Sequence, residues 1–201
     1  MVGGAPRLSR LGCVACACLL AAAPALAQAY VVGQCRGGMP NGGYELHAAD
    51  GRLRIAGAFS QGHKTGTFIF WTTAGARIAV IPFDEDRKSG TVALWYTAPD
   101  GRAEAGRKLE APYVDDHLHG VVRSWHANGS LRGEYRYERG AVIDARAWSA
   151  SGVPLPDAEA QSLAVGDAAS DEAFYASLLA VVGDNLPACD ADSSNGETPR
   201  S

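Results

Sequence analysis

Residues 57–75 read GAFSQGHKTGTFIFWTTAG. This stretch holds two short runs of aromatic and β-branched residues, with glycines between and after them. Aromatic and β-branched residues favour strands, whereas glycine adopts the positive backbone angles that tight turns require. The stretch therefore predicts a β-hairpin with short strands and a second turn after it.

The same pattern recurs along the chain of 201 residues. Each tryptophan precedes a turn glycine, and His47 before Gly51 marks a degenerate first copy. Successive markers are 24, 24, 30 and 23 residues apart, at His47, Trp71, Trp95, Trp125 and Trp148. A second aromatic marker keeps the same phase: Phe59, Phe83, Tyr113 and Tyr137. Two markers in phase predict a mainly β protein, an antiparallel β-meander of about four and a half hairpin repeats over residues 43–155, after a lead-in at 28–42.

Alternation along the strands predicts two different sheet faces. One parity is apolar and includes Leu53, Ile55 and Phe59, then Ala79, Ile81 and Phe83, then Leu109 and Tyr113, then Leu131, Tyr135 and Tyr137. The other parity is charged in the later repeats and includes Lys108, Glu110, Arg132, Glu134 and Arg136. The apolar face needs a cover.

The C-terminal segment 156–189 supplies that cover. Apolar residues follow helical spacing at Phe174, Leu178, Leu179, Val182 and Leu186. Ser170 or Asp171 is the expected N-cap, and residues 157–165 are expected to form a shorter first helix. We expect the longer helix to pack on part of the sheet, and residues 190–201 to be a disordered tail.

The N-terminus has the order of a secretion signal. Arg7 and Arg10 precede an apolar stretch over residues 11–23, and Ala25-Leu26-Ala27 provides small residues for cleavage. This predicts a signal peptide over residues 1–27, cleaved after Ala27 or, alternatively, after Ala29, and a periplasmic or secreted protein. Cys13, Cys16 and Cys18 raise the alternative of a lipid anchor, but the apolar stretch continues beyond them, which favours a soluble mature chain.

Removal of this signal leaves two cysteines, Cys35 and Cys189. In an oxidising compartment they predict one disulfide, and two free thiols are the alternative. The signal carries two of the 18 basic residues and none of the 22 acidic ones, so the mature chain has a net charge of −6. An acidic chain is a poor match for nucleic acid or an anionic membrane surface.

Residues 57–75 resemble the MORN repeat in the variant form common in bacterial proteins, with the core Gly-x-[Phe/Tyr]-x-x-Gly-x-x-x-Gly-x-[Phe/Trp]-x-x-[Phe/Tyr/Trp]. The resemblance covers residues 43–155 and weakens in later copies, where Asp86, Asp116 and Asp144 replace glycines. It implies a β-hairpin scaffold for protein or lipid contacts without catalytic residues. Some bacterial relatives are labelled antitoxins, a role that fits poorly with a secretion signal.

The tryptophan column is the main candidate binding feature. Trp71, Trp95, Trp125 and Trp148 would lie on every second strand and form either a core column or a row of aromatic platforms. Arg123 and Arg146, two residues before Trp125 and Trp148, would share their face and add cation–π or carboxylate contacts.

Metal and catalytic chemistry have weaker candidates. His117 and His119 are close enough for a metal but lack a third ligand, and the acidic turns Asp84-Glu85-Asp86 and Asp115-Asp116 lack a calcium-loop pattern. No nucleophile, zinc-protease or phosphate-loop motif is present in the sequence. We therefore predict a non-enzymatic protein with no cofactor and no metal.

The expected function is a scaffold for protein–protein contacts in the cell envelope, with another envelope protein as the partner. The alternative is a carbohydrate or cell-wall binding module that uses the tryptophan row, with a glycan as ligand. A third reading is an antitoxin-like or otherwise uncharacterised MORN-repeat protein.

Overall fold

A computed structural model describes residues 28–190. It contains twelve strands, β1 Tyr30–Arg36, β2 Met39–His47, β3 Leu53–Ser60, β4 His63–Trp71, β5 Arg77–Asp84, β6 Arg87–Lys88, β7 Gly90–Thr97, β8 Glu104–Val114, β9 His117–Leu118, β10 Gly120–Trp125, β11 Leu131–Glu138 and β12 Ala141–Ala147, followed by one helix, α1 Asp157–Asp184. The predicted signal peptide and the predicted tail beyond Asp190 lie outside the described residues.

The strands form one antiparallel sheet in chain order. Its path runs β1-β2-β3-β4-β5-β7-β8-β10-β11-β12, while the short β6 pairs with β5 and the short β9 with β8. The predicted mainly β meander of hairpins is therefore confirmed. Residues of the predicted lead-in form β1 and the start of β2.

Two-residue turns close the hairpins at one end of the sheet. Glu85 and Asp86 have φ values of 45° and 69°, and Asp115 and Asp116 have 47° and 65°. Two consecutive positive φ angles are typical of the type I′ turn, whose twist matches that of the flanking strands. Asp tolerates this conformation better than most residues, so these acidic turns preserve the hairpin where the earlier repeat has Gly62.

β-Bulges interrupt four strand pairs near the opposite end of the sheet. In the β7–β8 pair, Leu94 faces Leu109 but Trp95 faces Arg107, which leaves Lys108 opposite no residue. The same shift leaves three further residues without a strand partner: Arg54, Ile78 and Arg132. A bulge adds one residue and so reverses the alternation that follows it.

Because of this reversal, four residues lie on the side of the sheet opposite to the one predicted. Lys108 and Arg132 were expected on the charged face, but Arg132 pairs with Asp167 of α1 and the Lys108 ammonium lies 5.9 Å from the Phe174 ring centroid, on the side that the helix covers. Conversely, Leu53 and Leu131, expected on the apolar face, pair with His47 and Trp125 beyond the bulges. We call the side covered by α1 the helix face and the other side the outer face.

The core is a continuous layer between the sheet and α1. Phe68 is completely buried and makes edge-to-face contacts with Phe59 and Phe83, whose ring centroids lie 5.6 and 5.5 Å away. Its ring lies directly over Gly57, where an added Cβ would come within 2.5 Å of a ring carbon. Gly57 is thus required by the close approach of an aromatic ring and not by its backbone angle.

The helix is a single element, so the expected N-cap at Ser170 or Asp171 and the separate short helix over 157–165 are wrong. It begins directly after Pro156, whose carbonyl accepts the first intrahelical bonds. Ala160 and Ala164 are fully buried. These small residues let the first half of the helix approach the sheet closely, and Leu163 beside them is partly buried against the core.

The helix crosses most of the sheet, and the segment after it reaches the first strand. The contacts meet the strands in reverse order: Tyr137 of β11 contacts Ala164 and Tyr113 of β8 contacts Glu172 within α1. Tyr44 of β2 then contacts Asn185, and Gly33 of β1 lies against Pro187, both in the segment after α1. The 28 helical residues span ~42 Å, close to the ~43 Å spanned by the ten strands of the main path.

The predicted disulfide between Cys35 and Cys189 is confirmed. The two Cα atoms are 5.6 Å apart, and the bond joins strand β1 to the segment after α1. It holds the far end of the helix at the first strand of the sheet. Within residues 28–190, no helix combines the length and apolar character needed to span a membrane.

Candidate functional site

The outer face is the largest sheet surface that α1 leaves uncovered. Strand pairing aligns Glu110, Arg123, Glu134 and Arg146 across β8, β10, β11 and β12. Glu134 accepts hydrogen bonds from Arg123 Nε at 3.0 Å and from an Arg146 terminal nitrogen at 2.7 Å, and Arg107 pairs with Glu110 at 3.3 Å. We call these five residues the charge ladder.

Arg123 and Arg146 therefore contact a carboxylate. Within residues 28–190 neither forms a cation–π contact with Trp125 or Trp148. The physical reason is register, because Glu134 lies directly between the two arginines and a carboxylate attracts a guanidinium more strongly than a ring does.

Trp95 is the tryptophan that engages arginines. The Arg77 guanidinium lies 4.0 Å from its ring centroid and that of Arg107 lies 4.3 Å away, and these residues come from the strands on either side of β7. Arg77 also pairs with Glu104 at 3.0 Å. Trp95 is thus joined to the charge ladder through Arg107, and its faces are already engaged by the protein.

The other tryptophans also lie at strand ends and are half-buried. Trp71 borders an open cleft of about 500 Å³ with Ile69, Arg77, Arg102 and Glu104. The Trp125 carbonyl accepts a hydrogen bond from the Tyr96 hydroxyl, and Trp148 forms an isolated bridge with Pro154. None of the four rings belongs to the buried core, because each tryptophan directly follows a buried residue near the end of a strand and alternation turns it to the outer face.

The acidic turns have structural partners. The Asp86 carboxylate accepts hydrogen bonds from the Lys64 backbone and ammonium groups and from His63 of the preceding hairpin. Burial alone would raise the pKa of Asp86, but these hydrogen bonds outweigh it and lower the pKa to about 2. Asp116 repeats the contact by accepting from the Lys88 backbone N–H at 2.7 Å.

The histidine pair also has a local role. His117 contacts the carbonyl of Asp115 at 2.6 Å. The part of the chain that the structure describes contains no group of three or more His, Cys, Asp or Glu residues placed to hold a metal ion. His117, which the sequence offered as a weak metal-ligand candidate, therefore contacts the backbone of its own turn.

Carboxylates of α1 attach the helix to the bulges. Asp167 forms a two-pronged ion pair with Arg132 and accepts a hydrogen bond from the Tyr135 hydroxyl. One turn later, burial raises the pKa of Asp171 to about 6, against the opposing effect of the nearby Lys108 ammonium.

Glu172 makes the next attachment. It accepts a hydrogen bond from Lys88 Nζ at 2.6 Å and one from the Tyr113 hydroxyl at 2.8 Å. Lys88 is 8% exposed and its ammonium lies 4.9 Å from the Tyr113 ring centroid. The buried cation is therefore paired with a carboxylate and an aromatic face.

A further cleft lies at the C-terminal part of the helix. It has a volume of about 350 Å³ and is bordered by Leu46, Ile55, Phe70 and Ile78 of the sheet and by Leu178 and Val181 of α1, with Arg54 and His47 among its polar residues. The hydrophobic pattern of the sequence does not predict this cleft. One signal for it is present, since Arg54, Ile78 and Arg132 each lie three residues after a turn glycine, and this equivalence marks the bulge positions.

The chain matches no protein-family model and no curated protein sequence. The resemblance of residues 43–155 to MORN repeats stays a prediction.

Proposed function

We propose that the protein is an exported, non-enzymatic scaffold of MORN-like hairpins whose outer face contacts another protein in the cell envelope. One observation carries this proposal: α1 and the segment after it pack on the helix face, while the opposite face carries an ordered ladder of alternating charges.

The chemistry of the outer face favours a protein partner. Trp and Arg are the residue types most enriched among the hot spots of protein interfaces, and Trp95 lies between Arg77 and Arg107. The ladder residues Arg123 and Arg146 remain 48% and 60% exposed at their side chains although both are paired. Alternating exposed charges select a partner with the complementary pattern and reject others by like-charge repulsion.

Export is the second part of the proposal. The Cys35–Cys189 bond supports it, since structural disulfides persist in oxidising compartments. N-terminal sequencing of the protein recovered from the cell envelope should begin at Gln28. A chain recovered from the cytoplasm with Met1 intact would contradict export.

Site-specific photocrosslinking in cells tests the contact. A photoreactive amino acid replaces Val121 on the outer face or, as the matched control, Val165, which is 58% exposed on the solvent side of α1. We expect one discrete adduct from position 121, none of the same mass from position 165, and loss of the adduct in the charge-reversed variant R123E/R146E.

A second double variant controls for net charge. R36E/R52E makes the same change in charge at exposed arginines outside the ladder, and it should retain the adduct. No adduct at position 121, or an adduct that survives R123E/R146E, contradicts a partner on the outer face.

Glycan binding is a second candidate, and the cleft beside Trp71 favours it. The ring borders an open cleft together with Arg102 and Glu104, which places an aromatic surface beside hydrogen-bonding groups, as sugar recognition requires. Titration of tryptophan fluorescence with peptidoglycan fragments should give a saturable change that W71F removes and W95F keeps. An unchanged spectrum at saturating fragment would eliminate stacking on this row.

A further inference from the structure

The cleft at the C-terminal part of α1 combines an apolar lining with one unpaired cation. Arg54 Nε donates to the carbonyl of Trp71 at 3.1 Å. Within residues 28–190, the Arg54 guanidinium forms no ion pair. A partly buried guanidinium has five N–H donors, so most of those of Arg54 are left for another acceptor.

Comparison of the bulges shows why Arg54 lacks a partner. Arg54 and Arg132 hold equivalent positions in the first and last bulges. Arg132 meets Asp167 of the helix. The part of α1 nearest Arg54 in the cleft contributes Leu178 and Val181 instead of an acidic residue. The sheet therefore has a cation at this position, but the helix supplies no anion for it.

The remaining polar groups at this end of the cleft are already bonded. The carbonyl of Asn185 accepts from the Tyr44 hydroxyl, and the carbonyl of Val181 accepts from the Asn185 side chain. His47 contacts Glu45 at 2.8 Å and the Gly51 carbonyl at 3.1 Å. Arg54 is therefore the charged group of the cleft whose hydrogen-bonding capacity is unused.

We propose that this cleft binds an anionic amphiphile, a medium-chain carboxylate whose head group pairs with Arg54 and whose chain lies against Ile55, Phe70, Leu178 and Val181. A guanidinium matches the two oxygens of a carboxylate in a planar, two-bond contact. The volume of about 350 Å³ lies at the lower end of the range for small-molecule sites, which suits a single chain. Trp71 borders this cleft as well as the open cleft beside Arg102, but no residue of the charge ladder lines it, so the site does not depend on the partner proposed there.

Isothermal titration calorimetry with decanoate, decanol and decyltrimethylammonium, below their aggregation concentrations, tests the proposal. Decanoate should bind in a one-to-one complex, at least tenfold more tightly than the cationic analogue. From octanoate to decanoate the affinity should rise about fourfold per methylene, as burial of a CH₂ group predicts.

Two variants and one control locate the ligand. R54M should reduce decanoate affinity by about tenfold or more and leave decanol unchanged, as loss of a charge-assisted hydrogen bond predicts. V181F fills the cleft at a position that is 42% exposed and should weaken both ligands. R36Q removes the same charge at an exposed arginine outside the cleft and the charge ladder and should change neither.

Three results would overturn the proposal. The first is equal affinity for the anionic and cationic amphiphiles, and the second is the same decanoate affinity in R54M and R36Q. The third is self-association of the chain that V181F abolishes, which would make a second copy the occupant. If R54M does not fold, as judged by its thermal transition, V181F with the three head groups still decides between these outcomes.

Discussion

Removal of the Cys35–Cys189 disulfide should strongly destabilise this protein. The bond joins residues 154 positions apart, so it restricts the unfolded chain over almost the whole described length. The loop-entropy relation gives ~5 kcal/mol at 25 °C for a loop of this size. Domains of this kind are stable by only ~5–15 kcal/mol, so C35S/C189S should lose a large fraction of its free energy of unfolding.

Urea unfolding followed by circular dichroism measures this loss. Oxidised protein, dithiothreitol-reduced protein and C35S/C189S are compared, and the last two should coincide at ~5 kcal/mol below the first. The double variant should still show the spectrum of the folded sheet at zero urea. A difference below ~1 kcal/mol between oxidised and reduced protein would refute the loop-entropy reasoning, as would free thiols in the oxidised sample.

Other changes have smaller, directional effects. G57A places a methyl group against the Phe68 ring and should cost ~1–3 kcal/mol, whereas G43A, where an added Cβ meets nothing within 4 Å, should change the urea midpoint little. Burial raises the pKa of Asp171 to about 6, so its protonated form stabilises the fold below its unfolded pKa of about 4, and this contribution is lost as the pH rises to about 6. D171N should therefore be more stable than wild type by ~1–2 kcal/mol at pH 7.5 and no more stable at pH 4, in urea titrations at the two pH values; the reverse order would contradict the sign. E172Q removes the anion that attaches α1 to the sheet and should cost ~1 kcal/mol by the same assay, and an unchanged midpoint would show that this contact contributes nothing.

Local sequence signals were enough for the hairpins. Turn residues such as Asp50-Gly51 and Asn128-Gly129 and the aromatic markers specify where the chain reverses, and in a meander each strand pairs with its neighbour in the chain. The single pair of cysteines outside the predicted signal peptide likewise specified the disulfide. These features depend on residues close in sequence or on simple counting.

The faces of the sheet could not be assigned by alternation alone. The bulges at Arg54, Lys108 and Arg132 reverse the parity of everything beyond them, and a bulge is a property of two paired strands and not of one. The tryptophans, expected as a core column or a free aromatic row, are instead half-buried near the strand ends, and Trp95 lies between two arginines supplied by the neighbouring strands.

The sequence by itself determined the meander, its turns, the disulfide and the presence of a covering helix, because each follows from short-range periodicity or from the pairing of the last two cysteines. Only the tertiary structure decided that the C-terminal segment forms one unbroken helix across the sheet and that its carboxylates serve some bulge cations and not Arg54. The physical reason is that α1 lies across the strands. The helix rises ~1.5 Å per residue and the strands are ~4.8 Å apart, so the strand that each helix carboxylate meets depends on these packing distances and not on sequence separation.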